Sequence, residues 1–308
     1  MGLVHAAFFL CAVMGLASAH AGTLRYCDSP AKMSAAQQDK LLRVAGILKD
    51  ELEKSGTRAA LIARSGLNLR WFGMRYSHAG LSLAGSTDAP WSVRQLYFSC
   101  EDQAPRLFDQ GLPAFLLGTE NPDLGYISLV TMPADATVTL EAAALDNRTA
   151  LSLLGATYSA NAYAYTLKYQ NCNQWLAELL GLAWGGAPSD ATNPAADPAT
   201  APRAVAQGWL KAQGYSGSLF SVGIRPLLWL TSLSPWLNRD DHPEEDLAQA
   251  HFVVSMPESI ETFVRGRVPS AERLELCHTD RHVLLRRGWV PLADGCVPED
   301  GDTVIPLD

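Results

Sequence analysis

Residues 169–179 read YQNCNQWLAEL. The stretch places a cysteine at the mouth of an expected helix. Asn171 is a natural N-cap, because its side chain can accept from an amide of the first turn. Cys172 then takes the first helical position, and Trp175, Leu176, Leu179 and Leu180 form an apolar stripe that would pack on a sheet. The positive end of a helix dipole favours a thiolate there and makes the sulfur a nucleophile. The competing reading is packing, since a cysteine is a small apolar residue suited to a core. The other cysteines, and a partner for the thiol, weigh between the two.

The chain begins MGLVHAAFFLCAVMGLASAHAG. An apolar run from Ala6 to Ala17, followed by small residues at Ala17, Ala19 and Ala21, is the pattern of a secretory signal peptide over 1–21. Its n-region lacks Lys and Arg, and cleavage fits after Ala19 or Ala21. The run is too short to span a membrane comfortably. The later apolar run 226-PLLWLTSLSPWL-237 is short and carries two prolines, so no transmembrane segment is expected in the mature chain. The expected location is therefore the periplasm or the exterior. Cys11 leaves with the leader, and Cys27, Cys100, Cys172, Cys277 and Cys296 remain. An odd count in an oxidising compartment leaves one thiol over. Four cysteines allow three pairings. The one preferred here joins Cys277 to Cys296 and Cys27 to Cys100, with Cys172 as the odd thiol; buried unbonded thiols are the alternative.

The 308 residues are 48% hydrophobic and 18% charged, ample for a sizeable core, and the net charge of −8 argues against nucleic acid as partner. A helix is expected over 34–56, with a capping box from Ser34 and Gln37 and a stop at Gly56. Strands are expected at 59–64 and 74–85. A turn at 86–90 leads to a hairpin partner at 91–98, and a further strand spans 125–132. A helix is expected over 139–155, then the Cys172 helix to about Ala183. The stretch 185–202, GGAPSDATNPAADPATAP, reads as a linker or loop. It separates a core at 22–184 from a C-terminal extension at 203–308. That extension opens with a helix over 203–214 and continues as a strand and a helix over 251–264, with Pro257 in the helix's first turn.

His78 is the candidate partner of Cys172. On an alternating strand it shares a face with Gly80 and Ser82, while Ala79, Leu81 and Leu83 take the other. Taken alone, it is an ordinary hydrogen-bonded histidine. A thiol nucleophile needs a base, and the base needs an orienting group. Gln95 on the hairpin partner offers one, sharing a face with Val93 and Tyr97, because a glutamine accepts from an imidazole N–H without carrying charge. An exposed strand polar residue is the plain reading of Gln95.

The order His78, Gln95, Cys172, with SHAGL on a strand and NCNQW opening a later helix, resembles the permuted papain-like hydrolases. These are relatives of NlpC-type cell-wall endopeptidases and of lecithin:retinol acyltransferases. The motifs ALIARSG, YSHAGL, YQNCNQW and VSMPESIE also resemble a family of secreted bacterial proteins of unknown function. The resemblance implies an α+β permuted papain-like fold, a small antiparallel sheet with packed helices. It implies a thiol hydrolase or acyl transferase in which Cys172 attacks a carbonyl and His78 carries the proton, acting on wall peptides or acyl groups of the envelope. Gln95 departs from the family, which often has histidine at that place; Arg94 and Glu101 are weaker substitutes. A non-catalytic envelope binding module on the same fold is the alternative.

No cofactor or metal is expected. His278 and His282 lack a second ligand pair, and a disulfide-bonded, solvated segment explains them. Acidic 241-DHPEED-246 fits a helix start with Pro243 in the first turn rather than a calcium site. Trp229 and Trp236 read as buried aromatics, with docking on a membrane or wall polymer as the alternative.

Overall fold

The computed structural model describes residues 32–99, 102, 104–186, 201–223, 228 and 234–307. The expected leader, Cys27, Cys100, Glu101, Trp229 and most of the expected linker lie outside the described residues. The first described helix, α1 (Ala35–Ser55), has the expected ends. Ser34 Oγ accepts from Gln37 N at 3.2 Å, and Gln37 Oε1 accepts from Ser34 N at 2.8 Å. Gly56 ends the helix at φ 67°, a left-handed conformation that glycine adopts without steric cost.

Next come β1 (Ala59–Arg64), β2 (His78–Leu83), β3 (Ser92–Ser99), β4 (Ala104–Gln110), the short α2 (Leu112–Leu117) and β5 (Gly125–Thr131). They lead into α3 (Ala134–Leu145), α4 (Asn147–Ser152), α5 (Cys172–Gly185) and α6 (Pro202–Ala212). The remaining elements are β6 (Ser218–Ser221), α7 (Glu244–Ala248), β7 (His251–Val254), α8 (Pro257–Arg267), β8 (Glu272–His278), β9 (His282–Arg287) and β10 (Thr303–Pro306). An antiparallel sheet of eight strands runs in the order β10-β9-β8-β5-β1-β2-β3-β4. β6 and β7 pair antiparallel on their own. The architecture is thus an antiparallel sheet with helices, as expected in class but larger than the small sheet expected, because the C-terminal residues supply β8, β9 and β10.

Both faces of the sheet are covered. Ala59, Leu61 and Ala63 of β1 join Leu140 of α3, Trp175, Leu176 and Leu180 of α5, and Val264 of α8. Ala60 and Ile62 join Val44 and Leu48 of α1 and Phe115 of α2. A strand buried on both sides carries a continuous apolar run, which is why AALIA does not alternate. Trp175 is fully buried, and truncating such a side chain to alanine costs about 3–5 kcal/mol.

Four expected boundaries move. β2 starts at His78, not at residue 74, because Arg75 N and Tyr76 N donate to Glu258 Oε1 at 2.9 and 2.8 Å and leave the ladder. The helix expected over 139–155 is two helices, split at Asp146, whose carboxylate accepts from Arg148 N and Thr149 N and so caps a new start. Pro202 sits in the first turn of α6 instead of closing the linker, and Gly185 belongs to α5. Pro243 is the N-cap of α7, with Glu244, Glu245 and Asp246 in its first turn. Among the described residues, no helix is long and apolar enough to cross a membrane.

Candidate functional site

The mouth of α5 is built by three consecutive residues. Asn171 caps it: Oδ1 accepts from Gln174 N at 2.6 Å, while Nδ2 donates to Ser255 O at 3.1 Å. Cys172 follows as the first helical residue, a partly buried thiol rather than half of a cystine. Asn173, 1% exposed, then reaches to β2. Its Oδ1 accepts from Ala79 N at 2.9 Å and its Nδ2 donates to Ser77 O at 3.2 Å. These two backbone groups flank His78.

The position of that contact along β2 matters. Trp91 N donates to Leu83 O at 2.8 Å, so the odd-numbered residues of β2 turn their polar groups toward the β3 side. The β2–β3 pairing covers only Leu81–Arg94, Ser82–Val93 and Leu83–Ser92. At Ala79 the asparagine side chain therefore occupies the place of the departed strand, satisfying a donor and an acceptor that would otherwise be buried without partners. Gly80 marks the start of the parting: a Cβ there would lie 2.5 Å from Val93 Cγ1 and 2.9 Å from Arg94 O.

His78 and Gln95 face each other across this gap, with His78 Nε2 and Gln95 Oε1 2.6 Å apart. Gln95 Nε2 donates to Gln110 Oε1 at 2.6 Å, so the amide presents its oxygen to the ring. An oxygen can only accept, which puts the imidazole proton on Nε2 and the lone pair on Nδ1. The ring stacks on Tyr97 at 4.4 Å and lies 6.0 Å from Phe115 of α2. Burial, then the Arg64 cation, hold the imidazole down to about 3 despite the opposing effect of the Gln95 hydrogen bond. It is neutral over the whole physiological range.

The structure thus joins His78 to Gln95 directly. It joins the Cys172 segment to the His78 segment through Asn173. The ring lies on the α2 side of the sheet, against Phe115, whereas Cys172 packs with the α5 side. Sequence reading missed Asn173, although it adjoins Cys172 in NCN, and missed Arg64 and Tyr97. The signal for Arg64 was a charge ending an otherwise apolar buried strand. Arg94 does not substitute for Gln95, because it pairs with Asp109 at 2.6 Å and donates to Ala144 O on the other face.

The remaining candidates are structural. Cys277 and Cys296 form the expected disulfide. The segment is solvated in part: Asp280 and Arg281 are exposed, whereas His278 is 2% exposed and His282 Nε2 lies 3.1 Å from Cys296 O. Asp241 accepts from Tyr163 N at 2.9 Å. Trp236 packs edge-on against Phe98 at 4.2 Å. Among the described residues, no group of three or more His, Cys, Asp or Glu side chains is placed to hold a metal.

No match to the chain was found among curated proteins or among solved structures. A family model covering residues 51–264, and so His78, Gln95 and Cys172, does match. The chain belongs to that family, the uncharacterized proteins conserved in bacteria grouped as DUF2145.

Proposed function

We propose that this protein is an exported thiol hydrolase or acyl transferase of the permuted papain-like type, with Cys172 as nucleophile, His78 as proton carrier and Gln95 as orienting group. The observation that carries the reading is the pair of Asn173 hydrogen bonds, which staple the mouth of α5 to the backbone on either side of His78. The His78–Gln95 bond adds the fixed tautomer that a proton carrier needs. Export is supported by the leader-like first residues and by a disulfide, a bond that persists in oxidising compartments.

In this reading the sulfur forms a bond to a substrate carbonyl carbon as its proton passes to His78 Nδ1. The carbonyl electron pair moves to oxygen, where the backbone amide of Cys172 at the positive helix end helps to hold it. Collapse expels the leaving amine or alcohol, which takes the proton from Nδ1 and leaves a thioester on Cys172. Water, or an acceptor alcohol or amine, then attacks the thioester and returns the thiol. Wall peptides and lipid acyl groups are the two substrate classes that an envelope location presents.

The test is alkylation with iodoacetamide at neutral pH, read by mass spectrometry on the wild type and on His78→Ala, with Cys172→Ser as control. Labelling of Cys172 that slows in His78→Ala supports the proposal. Labelling at the same rate in His78→Ala refutes it. Incubation with peptide amides and with acyl esters then separates the substrate classes by which one leaves an acyl group on Cys172.

A second reading has its own support. The imidazole held near 3 is a weak base, and glutamine stands where the resembling hydrolases often have histidine. Both features suit a non-catalytic envelope module that retains the groove. Binding of wall fragments by wild type and Cys172→Ala alike, with no turnover, favours that module.

A further inference from the structure

Arg64 closes β1 as the cross-strand partner of His78 and is only 3% exposed. Its Nη2 donates to the Tyr97 hydroxyl at 2.7 Å, and its guanidinium carbon lies 5.4 Å from the Phe115 ring centre. The Tyr97 ring in turn lies on the His78 imidazole, with an angle of 21° between the planes. Space for the guanidinium is cut by two glycines. A Cβ on Gly66 would lie 2.9 Å from Nη1, and one on Gly118 would collide with Nη2. Two glycines, an aromatic face and a phenol thus converge on one buried cation beside the imidazole.

We propose that Arg64 is a positioning residue for the Cys172–His78 pair: through the Tyr97 hydroxyl it holds the ring that stacks on His78, and it keeps a second positive charge off that imidazole. The proposal rests on the thiol-hydrolase reading and deepens it by adding a control. An imidazolium beside a guanidinium in a buried site is repelled, so the resting state is a neutral imidazole and a protonated thiol. The sulfur then becomes nucleophilic only as a carbonyl is presented to it. The groups set against the imidazole are Arg64 from β1, Gln95 and Tyr97 from β3, and Phe115 from α2. Arg64 alone among them is a standing charge.

The experiment is an NMR titration of the His78 ring, assigned by its loss in His78→Gln, in wild type, Arg64→Met and Arg64→Lys. Wild type is expected to stay neutral throughout the folded range. Arg64→Met is expected to raise the His78 midpoint by about one unit or more, whereas Arg64→Lys, which keeps the charge, moves it less. Cys172 alkylation just below neutrality should quicken several-fold in Arg64→Met, as an ion pair becomes accessible. A merely structural arginine would leave both readouts unmoved in variants that fold. An unchanged midpoint in Arg64→Met, or an equal rise in Arg64→Lys, overturns the proposal. Should Arg64→Met not fold, Tyr97→Phe removes only the anchoring hydroxyl; no upward movement of the midpoint there overturns it as well. The titration is independent of the hydrolase reading, which fails separately if His78→Ala leaves Cys172 labelling unchanged.

Discussion

Replacing His78 by glutamine should flatten the acid side of the stability profile. The imidazole lies at about 3 in the folded protein, against 6.5 as its ordinary value. Between these values the unfolded chain binds a proton that the folded chain refuses. Stability therefore rises with pH across that window, is fully present above the unfolded value, and is lost as pH falls toward the folded one. Each unit corresponds to about 1.4 kcal/mol, so the full window is worth about 5 kcal/mol, and about 3 kcal/mol is gone two units below the unfolded value. Other buried groups also have shifted titration, His278 and Glu261 among them. His278, held down to about 4 by burial, acts in the same direction. Glu261, pushed up to about 7 by burial, acts in the opposite one, since its contribution is lost as pH rises. Both remain in the variant and cancel in the difference. The assay is urea unfolding followed by tryptophan fluorescence, at neutral pH and about two units below 6.5, on wild type and His78→Gln. Wild type should lose about 3 kcal/mol more than the variant between the two conditions. Equal losses would refute the claim that this imidazole is buried and uncharged.

Three further outcomes follow from particular contacts. Asn173→Ala strands the Ala79 amide and the Ser77 carbonyl, which should cost about 2–4 kcal/mol in urea unfolding and slow Cys172 alkylation; unchanged stability would mean that water replaces the side chain. Gly80→Ala drives a methyl into Val93 and Arg94, with an expected loss of about 1–3 kcal/mol and a separated His78–Gln95 pair visible in the ring's chemical shifts. Removing the Cys277–Cys296 bond, which closes a separation of 19 residues, by double substitution to serine should cost about 3 kcal/mol, seen as a lower melting temperature that reductant reproduces in the wild type.

The amino-acid sequence alone determined the features set by neighbours within a few residues. Ser34, Gln37 and Gly56 specify both ends of α1, and Asn171 specifies where α5 starts and hence that Cys172 opens it, because capping needs only a side chain and an amide three positions away. The β2–β3 hairpin was legible from its turn, and with it Gln95 as a candidate orienting group for His78; their common face came from the register. Long-range pairing was not. That β8 lies beside β5, and so extends the sheet with the C-terminal residues, depends on which edge the folded core leaves to be covered. Glu258 pulls Tyr76 off the ladder from 182 residues away, and Asn173 reaches Ala79 across 94. Only the tertiary structure sets the charge state of His78, because the desolvation and the Arg64 cation that decide it come from segments meeting in space. Local chemistry is written along the chain; an electrostatic environment exists only once distant segments exclude water together.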